Sequence, residues 1–133
     1  MLNAGVYTLA SLQISAAMSL KLLTPVTGLS GMKSVGLEAN FQYGSGGTTC
    51  SLIAATTFDG GTTWRQIARF DFTTASAVKT ANLQTLTSKA VAAYADLASE
   101  GVNDQILGDQ LAAFIVSTGT YAGTVASLRA SAR

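Results

Sequence analysis

Few residues of this chain have the chemistry for catalysis. The acidic side chains include Glu38, Asp59, Asp71, Asp104 and Asp109, there is a single cysteine, Cys50, and histidine is absent from all 133 residues. Without histidine the commonest general base and the commonest zinc ligand are both missing. Asp59 could form a glycosidase pair with Asp71 or Glu38, provided that the carboxyl groups stood about 5 Å or about 6.5 to 9.5 Å apart across a cleft. Exposed strand and turn acids account for all three more simply, so no catalytic residue is assigned and the chain is not expected to be an enzyme. Asp104 and Asp109, in GVNDQILGDQ (101–110), lack the ligand spacing of a calcium loop, and no metal site is expected. Cys50 has no disulfide partner and reads as a small core residue.

Binding chemistry is equally sparse. Tyr43, Trp64, Tyr94 and Tyr121 could make a sugar-stacking platform, although strand packing already accounts for Tyr43 and Trp64. Arg65 and Arg69 share a strand face with Asp71, and no basic run or phosphate-cradling loop accompanies them. They read as an intersubunit salt-bridge face, and no nucleic acid is expected. GSGG (44–47) and GTYAG (119–123) read as turns, so no cofactor is implied.

The elements that would position these groups show a period of two. Val35, Leu37, Ala39, Phe41 and Tyr43 alternate with Gly36, Glu38, Asn40 and Gln42, the pattern of a half-buried strand. TTCSLIAATT (48–57) predicts a buried strand, and 64–72 a third, alternating through Trp64, Gln66, Ala68, Phe70 and Phe72, with all three consecutive and antiparallel. QLAAFIVST (110–118) and TVASLRASA (124–132) predict a hairpin closed by GTYAG. Residues 6–14 and 18–26 predict two further strands, while the Ala-rich 88–100 fits a helix or an ordered loop. The expected fold is one all-β domain over 1–133, an antiparallel β-sandwich, jelly-roll-like, of about seven or eight strands. FDGGTTW (58–64) then joins two strands, with Asp59-Gly60-Gly61 at the hairpin tip and the carboxylate accepting turn N–H groups.

Charged residues make up only 11% of the chain, with a net charge of +1, against about 25% in ordinary globular proteins. A surface so poor in charge favours a protein covered by other subunits. Ser, Thr or Gly interrupts every apolar run, so no membrane segment is expected. ISAAMSL (14–20) has no preceding positive charge, and secretion by a signal peptide is not expected.

Thr57, Asp59, Gly61, Thr63 and Trp64 resemble the Asp-box hairpin of sialidases and other β-propellers, which implies a structural turn and no chemistry. A wider resemblance rests on DGGTTW (59–64), ARFDFTT (68–74), ILGDQL (106–111) and STGTYAGT (117–124). These stretches resemble small uncharacterised proteins encoded among the structural genes of tailed bacteriophages and prophages. The resemblance implies a virion component, assembled in the bacterial host cytoplasm. Its role would be capsid decoration or cement, or that of another minor head or neck protein, as a homo-oligomer contacting major capsid or neighbouring subunits. A carbohydrate-binding module for host attachment is the alternative. The 110–132 hairpin reads as an unguarded edge, so residues Gln110 to Arg133, with an exposed Tyr121 loop, are expected to contact a neighbour.

Overall fold

The computed structural model describes residues 3 to 133, and these contain eleven strands and no helix, hence none long and apolar enough to cross a membrane. In chain order they are β1 (Gly5–Ile14), β2 (Met18–Leu22), β3 (Ser34–Gln42), β4 (Ser45–Gly46), β5 (Thr49–Thr56) and β6 (Arg65–Phe72). There follow β7 (Ala77–Gln84), β8 (Gly101–Val102), β9 (Leu111–Thr118), β10 (Tyr121–Ala122) and β11 (Thr124–Ala132). Sheet I has the order β1-β11-β3-β7, sheet II the order β2-β9-β5-β6-β8, and β4 and β10 form a two-stranded ribbon. Among the eight strands of five residues or more, the first pairs with the last, the second with the seventh, the third with the sixth and the fourth with the fifth. That is a long antiparallel hairpin rolled onto itself, the jelly-roll arrangement, and the β11–β3 and β9–β5 pairings complete the two sheets.

The core lies between the sheets. Sheet I contributes Val35, Leu37, Ala39 and Phe41 from β3 and Ala126, Leu128, Ala130 and Ala132 from β11. Facing them are Cys50, Leu52 and Ala54 from β5, Ile67, Phe70 and Phe72 from β6, and Leu111, Ala113 and Ile115 from β9. Burying each large apolar side chain is worth about 1.5–3 kcal/mol, and the interspersed alanines let the sheets approach closely. At one end Phe41 stacks on Phe72, with centroids 4.9 Å apart, and meets Tyr121 edge to face at 5.6 Å.

Several sequence expectations are corrected here. The strand at 35–43 is not hairpin-paired with the one that follows: β3 lies in sheet I, β5 and β6 in sheet II. The two C-terminal strands do not form a hairpin either. β9 and β11 are interior strands of opposite sheets, and GTYAG crosses between them with Tyr121 only 1% exposed. The edges are instead β1, β7, β2 and β8. The strand expected over 18–26 ends at Leu22, followed by a single bridge from Val26 to Leu111. β7 was not anticipated, because AVKTANLQ carries no apolar alternation strong enough to signal it. The 88–100 segment is irregular.

Two bulges adjust which residues face inward. In β6 the register slips between Ala68 and Gln66, inserting Ile67, which turns into the core while Gln66 moves to the outer side of sheet II. In β1 a similar slip falls between Thr8 and Ala10, leaving Leu9 and Ala10 both buried.

Candidate functional site

The hairpin at 57–64 is built by its own hydrogen bonds. The Thr57 hydroxyl donates to Asp59 Oδ1 at 2.9 Å and accepts from Gly61 N–H at 3.0 Å. Thr63 donates its backbone N–H to Asp59 Oδ1 at 2.9 Å and its hydroxyl to Oδ2 at 2.6 Å. Both carboxylate oxygens are thus occupied within the turn. The bonds from Thr63, with that from Thr57, draw the Asp59 carboxyl down from 3.8 to about 2. Gly60 and Gly61 have φ of 72° and 98°, the left-handed region that suits glycine. The expectation that Asp59 serves the turn is met.

The other carboxylates are engaged elsewhere. Asp71 Oδ1 accepts from Ser51 Oγ at 2.6 Å and from Arg69 Nε at 2.8 Å. Burial alone would raise the Asp71 carboxyl, but the bonds from Ser51 and Arg69 hold it below its ordinary value. Glu38 lies on the outer face of sheet I, exposed, so the three acids considered for a pair sit at three separate places. Asp104 Oδ1 accepts from Gln84 N–H at 2.9 Å and Gln105 N–H at 2.8 Å. Among the described residues no three His, Cys, Asp or Glu side chains cluster as metal ligands would. Cys50 is buried, which pushes its thiol up to about 12.

Sheet II's outer side is fastened to the 94–104 segment, which is irregular apart from β8. Arg69 Nη1 donates to Leu97 O at 2.8 Å, Leu97 N–H donates to Gln66 Oε1 at 2.9 Å, and Asn103 Nδ2 donates to Gln66 O at 2.8 Å. Gln66 N–H donates to the Tyr94 hydroxyl at 2.7 Å, and the Arg65 guanidinium lies 4.9 Å from the Tyr94 ring centroid. Lys79 Nζ binds Glu100 Oε2 at 2.7 Å and Asp71 O at 2.6 Å. Of the face read as intersubunit, Arg69 and Asp71 are bonded within the chain and Arg65 lies over Tyr94, and the bulge at Ile67 brings Gln66 onto the same side. The aromatic platform does not assemble. Tyr121 is buried beside Tyr43, with centroids 6.1 Å apart, while Tyr94 is fastened to β6 and Trp64 ends the 57–64 turn next to Gly61.

What residue reasoning missed is the outer face of sheet I. In register across β1, β11, β3 and β7 it presents Val6, Ser131, Gly36 and Asn82, then Thr8, Arg129, Glu38 and Thr80. The next row is Ser11, Ser127, Asn40 and Val78. Among the described residues the side chains of these three rows make no hydrogen bond within the chain, while Gln84 at the end of β7 bonds Thr87 and Leu86; the ion pairs are Arg69–Asp71 and Lys79–Glu100, not Glu38–Arg129. Gly36, with no atom within 4 Å of where a Cβ would stand, helps leave an open groove of about 650 Å³. The alternation of Gly36, Glu38, Asn40 and Gln42 signalled one column of this face. The neighbouring columns come from distant parts of the chain.

No protein-family model matches the chain, and comparison with curated proteins and with solved structures returns no match.

Proposed function

We propose that the chain is a structural protein of a tailed-bacteriophage virion, a capsid decoration or cement protein or another minor head or neck protein, which binds neighbouring coat subunits. The observation that carries the assembly part is the outer face of sheet I. It is broad, carries Glu38 and Arg129 as its charged residues, leaves the polar side chains of its three central rows unbonded within the chain, and includes Val6, Val78 and Val125 at 66%, 60% and 36% exposure. Short polar and aliphatic side chains on a regular sheet can lie against another protein with little ordering cost, and partner groups can satisfy their hydrogen bonds. The virion part rests on the resemblance of residues 59–64, 68–74, 106–111 and 117–124 to phage structural-gene products. The jelly roll suits either reading, since the same fold serves capsid and lectin domains.

The test is incorporation. Particles purified from an induced host should contain this chain in fixed stoichiometry, detected by mass spectrometry. Asn40→Arg with Val125→Arg should leave the isolated fold intact and abolish incorporation. Absence of the chain from purified particles refutes the virion assignment, and normal incorporation of the double variant refutes the face.

A carbohydrate-binding role is the second reading, and the groove around Gly36 favours it through Glu38, Thr80, Asn82, Arg129 and Ser131, which could exchange hydrogen bonds with sugar hydroxyls. Glycan-array binding that disappears in Glu38→Gln and Arg129→Ala would promote it over the first.

A further inference from the structure

The jelly roll leaves four sheet edges, and they are not guarded alike. β8 is two residues long. β2 has five residues, carries Lys21 and pairs with an interrupted register. β7 carries Lys79, whose ammonium bridges to Asp71 O and Glu100, and its end is capped where Gln84 N–H donates to Asp104. Short length, lysine, irregularity and cover are the devices by which proteins keep edges from pairing. β1 is different: ten residues, GVYTLASLQI, with no charge and no proline. Its one irregularity is the bulge at Leu9. Among the described residues its backbone bonds are to β11, and the loop contact at this end belongs to Asn3 N–H, which donates to Gly28 O.

The surroundings of this edge are open and apolar. An open slot of about 310 Å³ runs beside it, lined by Thr8 to Leu12 of β1 and by Leu23 and Thr24 of the chain beyond β2. Val6 and Leu20, 66% and 52% exposed, lie on the edge strands of the two sheets.

We propose that β1 pairs with β1 of a second copy of this chain, antiparallel about a two-fold axis, joining two four-stranded sheets into one of eight. The occupant is a second copy because the edge suits itself. An antiparallel strand pair is related by a two-fold axis, the arrangement of an isologous dimer. A strand without charge brings no like charges into opposition when it meets its own copy. Thr8, Ser11 and Gln13 are exposed and uncharged, so two backbones can come within ladder distance, and their orphan N–H and C=O groups satisfy one another. The two outer faces of sheet I then form one uninterrupted surface. The inference deepens the assembly reading by naming its homotypic contact. One strand pair covers less than the ~800 Å² per partner of a standard stable interface, so association should appear at high protein concentration.

Sedimentation velocity on the full chain from about 10 µM to about 1 mM should show a monomer–dimer equilibrium, with hydrogen-exchange protection of alternate Gly5–Ile14 amides rising as the dimer forms. Ser11→Lys with Gln13→Lys, and separately Ser11→Glu with Gln13→Glu, should each be monomeric over this range with unchanged circular dichroism. An equimolar mixture of the two should dimerise again. A wild-type monomer throughout overturns the proposal, as does a dimer without new protection in β1. So does protection of β1 by a coat-protein segment in place of a second copy. Should the variants unfold, the wild-type exchange experiment decides alone. Particle incorporation is a separate readout: normal incorporation of a chain that never self-pairs counts against this contact and leaves the virion assignment standing.

Discussion

Replacing Gly47 by alanine should unseat Tyr121. Gly47 has φ of 71°, where an L-residue costs about 1–2 kcal/mol, and an added Cβ would stand 2.3 Å from Tyr121 ring carbons. Ordinary contact between carbons is about 3.5–4.0 Å, so the ring would have to shift by more than about 1 Å. It has no space to do so. The ring is 1% exposed and edge-on to Phe41, and its hydroxyl donates to Thr73 O at 2.7 Å. Removing a buried aromatic ring costs about 3–5 kcal/mol, and Tyr121→Ala should fall in that range. Gly47→Ala should cost about 3 kcal/mol, combining the backbone strain with partial loss of ring packing. In the double variant the clash is gone and only the strain adds, so the two losses should fall short of additivity by about 1–2 kcal/mol. Urea unfolding followed by Trp64 fluorescence and circular dichroism measures all three. Additivity within about 0.5 kcal/mol, or a Gly47→Ala protein as stable as wild type, would refute the packing argument. For the same reason an aspartate at position 121, which an exposed loop would have tolerated, should prevent folding here.

Thr57→Val should cost about 1–2 kcal/mol by leaving Gly61 N–H without its acceptor, whereas Thr57→Ser should remain within about 0.5 kcal/mol of wild type in the same urea titration. Because the folded Asp59 carboxyl lies near 2, below its ordinary 3.8, its contribution is complete above 3.8 and lost as pH falls toward 2. Asp59→Asn should flatten stability against pH in that window, and an unchanged profile would contradict the turn bonding. Glu100 is held below its ordinary 4.5 by the bond from Lys79, so its tether is present above that pH and loosens below it. Exchange protection of the Asp71 N–H, which donates to Glu100, should fall on acidification and be missing in Glu100→Ala at neutral pH. Cys50 should resist thiol reagents in the native state at pH 8 and react fully in urea, because burial keeps it protonated.

Local order and turn chemistry were legible in the residues because both depend on near neighbours. The inward row Val35, Leu37, Ala39 and Phe41 is buried as its alternation requires, and the Thr57, Asp59, Gly61 and Thr63 spacing places donors and acceptors within a few residues of one another. The anomaly at Gln66-Ile67, a polar residue in the apolar row beside an apolar one in the polar row, was the visible trace of a bulge, yet only the pairing with Ala54 and Ala55 shows which way it turns.

Strand partnership was decided by tertiary structure. Alternation says that a strand has a buried face and nothing about which strand lies beside it, so QLAAFIVST and TVASLRASA read as a hairpin when each runs in a different sheet. GTYAG looked like an exposed tip, and the crossing it makes instead carries Tyr121 into the core. β7 owes its place to β3, whose ladder and buried face make a strand of a segment with weak alternation of its own. The same holds for the surfaces. Residues 6, 38, 82 and 129 become one face, and β1 becomes an unguarded edge, only when the rolled hairpin brings the first strand beside the last. By itself the sequence determined the strand class, the turn around Asp59 and the scarcity of charge, which are properties of neighbours and of composition. Edges, faces and the polar fastening of 94–104 required the fold, because they join residues tens of positions apart that no local pattern connects.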